Sequence, residues 1–239
     1  VTVDNNMEIA LTLTAQFPTV VGAIQRVRRD QPIVEPDPSL GHSEDFLHMM
    51  TGGKIDPRMA EVMDMALILH AEHGMNASTF SAMVTNSSLT DLYSSIVAGI
   101  GSLKGPLHGG ANEATLKAFI EIGDPAKTET WFQNSKVEKR KVMGFGHRVY
   151  KAYDPRAVIF DPIAEEFSGK AGTSHLYEIA KKLEVLVVED LGGKGIFPNV
   201  DYFSGLIYNA MRIDTDMFTP IFAVARIAGW AARILEYLP

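Results

Sequence analysis

Three short segments of this 239-residue chain gather the side chains able to move protons or grip anions. The first, Lys104-Gly-Pro-Leu-His-Gly-Gly-Ala-Asn-Glu113, delivers His108 on a glycine and proline loop to the start of a helix. A cation is disfavoured at the positive end of a helix dipole, so a neutral His108 ring is expected, with an N–H for a carbonyl oxygen that gains negative charge. The same position also suits a plain helix-capping histidine. The second, Gly144-Phe-Gly-His-Arg-Val-Tyr-Lys-Ala-Tyr-Asp-Pro-Arg156, sets His147 and Arg156 nine residues apart. Its paired glycines allow backbone to approach a ligand closely. With neither a preceding strand nor a third glycine, it is no dinucleotide fingerprint. The third, Lys194-Gly-Ile-Phe-Pro-Asn-Val-Asp-Tyr-Phe-Ser-Gly205, puts Asp201 at the mouth of a helix. Taken alone, Asp201 reads as an ordinary cap.

Two further residues merit a role. His73, in Ala71-Glu-His-Gly-Met-Asn-Ala-Ser78, ends an apolar helix beside Gly74, where the negative end of the dipole favours an imidazolium. It would bind a carboxylate or simply finish the helix. Arg226 stands in the apolar run Phe222-Ala-Val-Ala-Arg-Ile-Ala-Gly-Trp230, where a buried guanidinium needs an anionic or strongly polar partner unless its head reaches water at a rim. His42, His48, His70 and His175 lack such context. Between residues 136 and 151 six basic side chains (Lys136, Lys139, Arg140, Lys141, Arg148, Lys151) face one acid, Glu138. Such a run is usually a solvated face, but beside the glycine loop it suits a phosphate-bearing ligand.

Helices must position these segments. The pattern predicts helices over 7–29, broken or bent near Pro18; after Ser43; from Asp56-Pro57 to Gly74; from 92 to 100, capped by Asp91 and closed by Gly101; from 111 to 122; and over 128–136, 174–190, 201–211 and 216–237. Alternation of period two is nearly absent, so the fold class is mainly α. Apolar residues make up 46% of the chain, enough for one large domain or two modest ones. The net charge of −7 argues against general affinity for nucleic acid or anionic membranes, and no cysteine is present for disulfide, thiolate nucleophile or thiolate metal site. No apolar run of membrane-spanning length and no signal layout is read, so a cytoplasmic protein is expected.

In order, the segments 104–113, 144–156 and 198–205 resemble the signature of the citrate synthase family, 2-methylcitrate synthases included. The resemblance implies a two-domain helical fold: a large dimerising domain from residues 1–108 and 206–239, and a small domain, 109–205, closing over the substrates. It implies an acyltransferase that joins acetyl-CoA to oxaloacetate through an enol and then hydrolyses the thioester. Asp201 would be the base, His108 the donor to the thioester oxygen and His147 the donor to the ketone. His73, Arg156 and Arg226 would hold the oxaloacetate carboxylates. CoA, a co-substrate and not a resident cofactor, would lie against Leu103, Gly105, Leu107, Val142, Gly144, Phe145 and Gly146, with Lys151 and Lys194 near its phosphates. No metal is implied. Family members are longer at both ends, and their carboxyl-terminal arginine is not in this sequence, so a shortened chain or a piece of a longer protein is expected. The alternatives are propionyl-CoA as substrate, citryl-CoA cleavage, a silent CoA-binding or dimerisation module, and metal-dependent hydrolysis using His70 and His73.

Overall fold

The computed structural model describes residues 3–238. Among these residues the regular structure is helical: α1 (Val3–Arg28), α2 (His42–Thr51), α3 (Pro57–Ala71), α4 (Ala77–Asn86), α5 (Leu92–Leu103), α6 (Ala111–Ile122), α7 (Thr128–Val137), α8 (Pro155–Ala171), α9 (Ser174–Leu191), α10 (Asp201–Ala210) and α11 (Phe218–Tyr237). Two compact units result, Val1–Gly109 with Thr219–Pro239, and Gly110–Phe218. The boundary expected after Gly205 would cut α10, which lies wholly within the second unit. A helix whose interior is hydrogen-bonded turn by turn is a poor place for a chain to pass between units.

Local chemistry explains most starts. Asp56 Oδ1 accepts the Arg58 N–H ahead of Pro57, and Asp91 Oδ1 accepts the Ser94 N–H at the mouth of α5. Two helices were not expected. α4 is capped by Asn76, whose Oδ1 accepts the Thr79 N–H. α8 starts at Asp154-Pro155, where Asp154 Oδ1 accepts the Arg156 N–H, the same device that starts α3. Pro162 stands inside α8, but on its exposed side, where water can satisfy the carbonyl left without its N–H partner. Helix α1 likewise runs on through Pro18. α3 stops at Ala71, short of Gly74, and α5 runs past Gly101 to Leu103.

In the first unit, α11 is the core helix. Its Phe222, Ile227, Trp230 and Ile234 are buried with Leu92, Ile96 and Leu103 of α5; each such large apolar side chain contributes about 1.5–3 kcal/mol. Gly229 lets α11 lie directly on the end of α3, since a Cβ there would sit 2.1 Å from the Ala71 carbonyl oxygen. The expectation that no segment is long and apolar enough to span a membrane is corrected: Asn5–Arg28 and Thr215–Tyr237 both meet that length and composition. For the second, 67% of the apolar window is buried, as the core position of α11 requires. In the second unit α10 packs against α6 and α8, with Tyr202, Phe203, Leu206 and Ile207 buried.

Candidate active site

His108 lies in the first unit, at the end of the turn after α5, braced by its own N–H to the Gly105 carbonyl (2.9 Å) and by the Gly109 N–H to the Leu103 carbonyl (2.9 Å). Its Nε2 stands 2.8 Å from Ser78 Oγ and 3.4 Å from the Ser78 backbone nitrogen. A backbone N–H can only donate, so the tautomer that uses both Ser78 contacts carries its proton on Nδ1, with the Ser78 hydroxyl proton turned to Nε2 and not to Asn76 Oδ1, 2.8 Å from the same oxygen. Ser78 is itself fixed, for Trp230 Nε1 donates to its hydroxyl oxygen (3.1 Å). Burial first, and the Arg226 cation second, push the His108 pKa down from 6.5 to about 4. Desolvation and a nearby guanidinium thus both favour the neutral ring.

Arg226 is 2% exposed, as its apolar run suggested. Its Nε donates to the His70 carbonyl (2.7 Å), and its guanidinium lies 4.8 Å from the Phe222 ring centre. His108 meets the same Phe222 ring edge-on at 6.1 Å. His73 is half-buried, two residues beyond the last residue of α3. Its turn is held by Glu72 Oε1, which accepts the Gly74 N–H (2.6 Å) and two Arg233 donors (3.1 and 3.0 Å). His70 Nδ1 donates to the Ala66 carbonyl (2.8 Å) within the core. Among the described residues no three His, Asp or Glu side chains are grouped to hold a metal, so the pairing of His70 with His73 gains no third ligand.

The second unit carries the other three residues. The loop that bears His147 is stapled to the segment before α10: Gly146 N–H donates to the Phe197 carbonyl (2.8 Å), Asn199 N–H to the Gly144 carbonyl (2.9 Å), and Phe145 bridges Pro198. Gly144 has φ +82°, and a Cβ there would lie 2.7 Å from Tyr202 Cδ2 and 2.8 Å from Thr115 Oγ1, so only glycine fits. His147 Nδ1 accepts two backbone N–H groups, from Val149 and Tyr150, both at 3.0 Å, which leaves the ring proton on Nε2. The ring stacks on Tyr150, 4.7 Å between centres.

Arg156 opens α8 and is gripped by Asp154 through Nε (3.0 Å) and Nη2 (2.7 Å). Burial alone would raise the Asp154 carboxyl, but the Arg156 hydrogen bonds and charge outweigh it and hold it below the usual carboxylate range. Asp154 thus engages the Nε/Nη2 edge of the guanidinium. Asp201 is the first residue of α10, half-buried, its backbone N–H donated to Asn199 Oδ1 (3.0 Å).

The residues expected to meet CoA divide. Leu107 is exposed and Gly105 half-buried, while the Leu103 side chain is 1% exposed in the first unit's core, so any contact from that position falls to its backbone. Phe145 and Gly144 are buried, with Phe145 packed on Tyr202 at 4.6 Å, while Val142 and Gly146 are half-buried. Lys151 Nζ reaches the His147 carbonyl (3.3 Å), and its stem lies against Gly195, the residue after exposed Lys194. In the basic run, Lys136 pairs with Asp190 and Arg140 with Glu121. Sequence reasoning missed Ser78, 30 residues from the ring it orients, and Asn199. Their one signal was adjacency to His73 and Asp201.

Among the described residues each helical unit thus presents an imidazole on a braced loop and a buried guanidinium, His108 with Arg226 in the first and His147 with Arg156 in the second. The family model described as the citrate synthase C-terminal domain matches residues 2–238, and the chain belongs to the citrate synthase family. A citrate synthase of Deinococcus radiodurans is 47% identical over 99% of this chain and 63% of its own length. A 2-methylcitrate synthase of Mycobacterium tuberculosis is 41% identical over 97% of this chain and 58% of its own. The citrate synthase of Thermoplasma acidophilum, solved as a ternary complex with carboxymethyl coenzyme A and oxaloacetate, superposes with a TM-score of 0.95 at 42% identity, over 98% of this chain and 62% of that one. The chain therefore spans less than two thirds of these relatives.

Proposed function

We propose that this chain carries the catalytic residues for condensing acetyl-CoA with oxaloacetate, giving citrate and free CoA. The Asp201 carboxylate takes a proton from the acetyl methyl group while His108 passes its Nδ1 proton to the thioester oxygen, giving an enol, and recovers it when the carbon–carbon bond forms. So weak a carbon acid needs both partners. His147 Nε2–H donates to the oxaloacetate ketone oxygen. The methyl carbon then bonds to the ketone carbon, the ketone oxygen takes the His147 Nε2 proton, water cleaves the resulting citryl thioester, and solvent restores the His147 proton and removes the one held by Asp201. Arg156, Arg226 and His73 hold the carboxylates. Lys151 and Lys194 face the CoA phosphates.

The observation that carries this reading is the neutral His108, with its pKa at about 4 and its proton assigned to Nδ1 by Ser78. An imidazolium would protonate the thioester oxygen outright, whereas a neutral donor gives up its proton only as charge develops there. The likeness to a complex of carboxymethyl coenzyme A and oxaloacetate supports the two substrates. The 41% identity to a 2-methylcitrate synthase keeps propionyl-CoA as a second acyl donor, since one methylene shifts selectivity by only about 1–3 kcal/mol.

A homodimer is also proposed. The α4–α5 hairpin, 77–103, holds a single charged side chain, Asp91, and exposes Phe80, Val84, Tyr93 and Val97, an uncharged apolar face suited to a second copy. The test of the reaction is thiol release from acetyl-CoA plus oxaloacetate, with citrate identified by mass. Asp201→Ala should lower it about 10³-fold while oxaloacetate still binds by calorimetry. Citrate formation unchanged in that variant would dismiss Asp201 as the base.

A further inference from the structure

Asn199 uses each of its polar groups on the two elements that carry Asp201 and His147. Its backbone N–H donates to the Gly144 carbonyl (2.9 Å), and its backbone carbonyl accepts the Tyr202 N–H (3.0 Å). Its side-chain Nδ2 donates to the Gly146 carbonyl (3.0 Å), and its Oδ1 accepts the Asp201 N–H (3.0 Å). The side chain is thus a short bridge whose donor end lies on the peptide unit entering His147 and whose acceptor end lies on the first residue of α10.

The His147 side especially needs such a bridge. Gly144 and Gly146 both adopt positive φ, +82° and +84°, and a glycine peptide rotates more easily than any other. The imidazole is locked to the loop backbone by the Val149 and Tyr150 amides, so whatever rotates the Gly146–His147 peptide carries the ring with it. Phe197 holds the Gly146 N–H, but the Gly146 carbonyl is held by Asn199.

We infer that Asn199 is a positioning residue that sets the direction of His147 Nε2–H and the seat of Asp201 from one side chain. The inference rests on the reaction proposed above for those two groups. The residue type follows from the demand. A donor and an acceptor are needed on one short stem: aspartate supplies the acceptor alone, serine has one hydroxyl for two partners, and glutamine is a methylene longer.

The substitutions that separate the two ends are Asn199→Asp and Asn199→Ser. A carboxylate keeps the bond from the Asp201 N–H and turns an oxygen against the Gly146 carbonyl. A serine hydroxyl serves the N–H two residues on, as in a local serine turn, and does so without repulsion. In the full chain both variants should lower citrate formation about 100-fold, the scale of a misplacement near 1 Å. Both should leave solvent deuterium exchange into the acetyl-CoA methyl group within about 3-fold of the parent. That exchange is measured with malate, whose alcohol carbon cannot be attacked, in place of oxaloacetate. Asn199→Ala should lower both rates. The ¹⁵N signals of the His147 ring should move in the Asp and Ser variants, with those of His108 unmoved.

Equal loss in both rates, no loss in either, or unmoved His147 signals would overturn the inference. The ring signals decide it even if the parent makes no citrate, an outcome that would count against the proposed reaction. If Asn199→Asp does not fold, the same measurements on Asn199→Ser decide the matter alone.

Discussion

The two imidazoles proposed to act on substrate are made ready in opposite ways. His108 is prepared by its surroundings: burial and the Arg226 cation make it a poor base, and Ser78 takes Nε2, leaving the proton on Nδ1. His147 is prepared by its own loop: two backbone amides take Nδ1, leaving the proton on Nε2. One depends on packing among residues far apart in sequence, the other on backbone within three positions of the ring. Side-chain substitutions around His108 should therefore change its chemistry, whereas His147 should respond chiefly to changes in loop geometry.

The largest effects separate the two rings directly. His108→Ala should abolish deuterium exchange into the acetyl-CoA methyl group as well as citrate formation, each falling about 10²–10⁴-fold. His147→Ala should reduce citrate formation on the same scale and leave the exchange measured with malate nearly intact. Equal behaviour of the two variants would erase the division of labour.

A smaller effect tests the loop. Gly144→Ala forces a side chain into positive φ and against Tyr202 and Thr115, so thermal unfolding of the second unit should show a loss of about 1–3 kcal/mol. Smaller again is the acid response of His108. Its folded pKa, about 4, lies below the ordinary 6.5, so the unfolded chain binds a proton more readily between those values. Its contribution to stability is complete above pH 6.5 and is lost as pH falls towards 4, on the order of 2 kcal/mol once the ring's partial exposure is allowed for. Urea unfolding at pH 7 and pH 4.5 should show this difference, and His108→Asn should flatten it.

The same contrast explains what could be read from the sequence. Caps carry local chemistry, so Asp56-Pro57 and Asp91 announced α3 and α5. Asp154-Pro155 is the same signal, but next to the paired glycines it reads as a break in a loop, and α8 was missed. α4, ten residues rich in Ser and Thr, lacks the long apolar stripe that would mark it. At the site, the residues that bear chemistry were legible as types in motifs. Their supports were not, because Ser78 meets His108 across 30 positions and Asn199 meets Gly146 across 53. The buried state of Leu103 was hidden for the same reason: it is settled by α11, more than a hundred residues further on. The neutrality of His108 was anticipated from the helix that follows it, whereas burial and Arg226, the two causes the fold supplies, were not legible.

The most direct test of this account follows the His108 ring itself. A pH titration of the ¹⁵N-labelled histidines by NMR should show the His108 ring neutral, with its proton on Nδ1, from pH 8 down to near its midpoint at about 4. In Arg226→Gln that midpoint should rise. A His108 signal that titrates near 6.5, or a proton found on Nε2, would contradict the account.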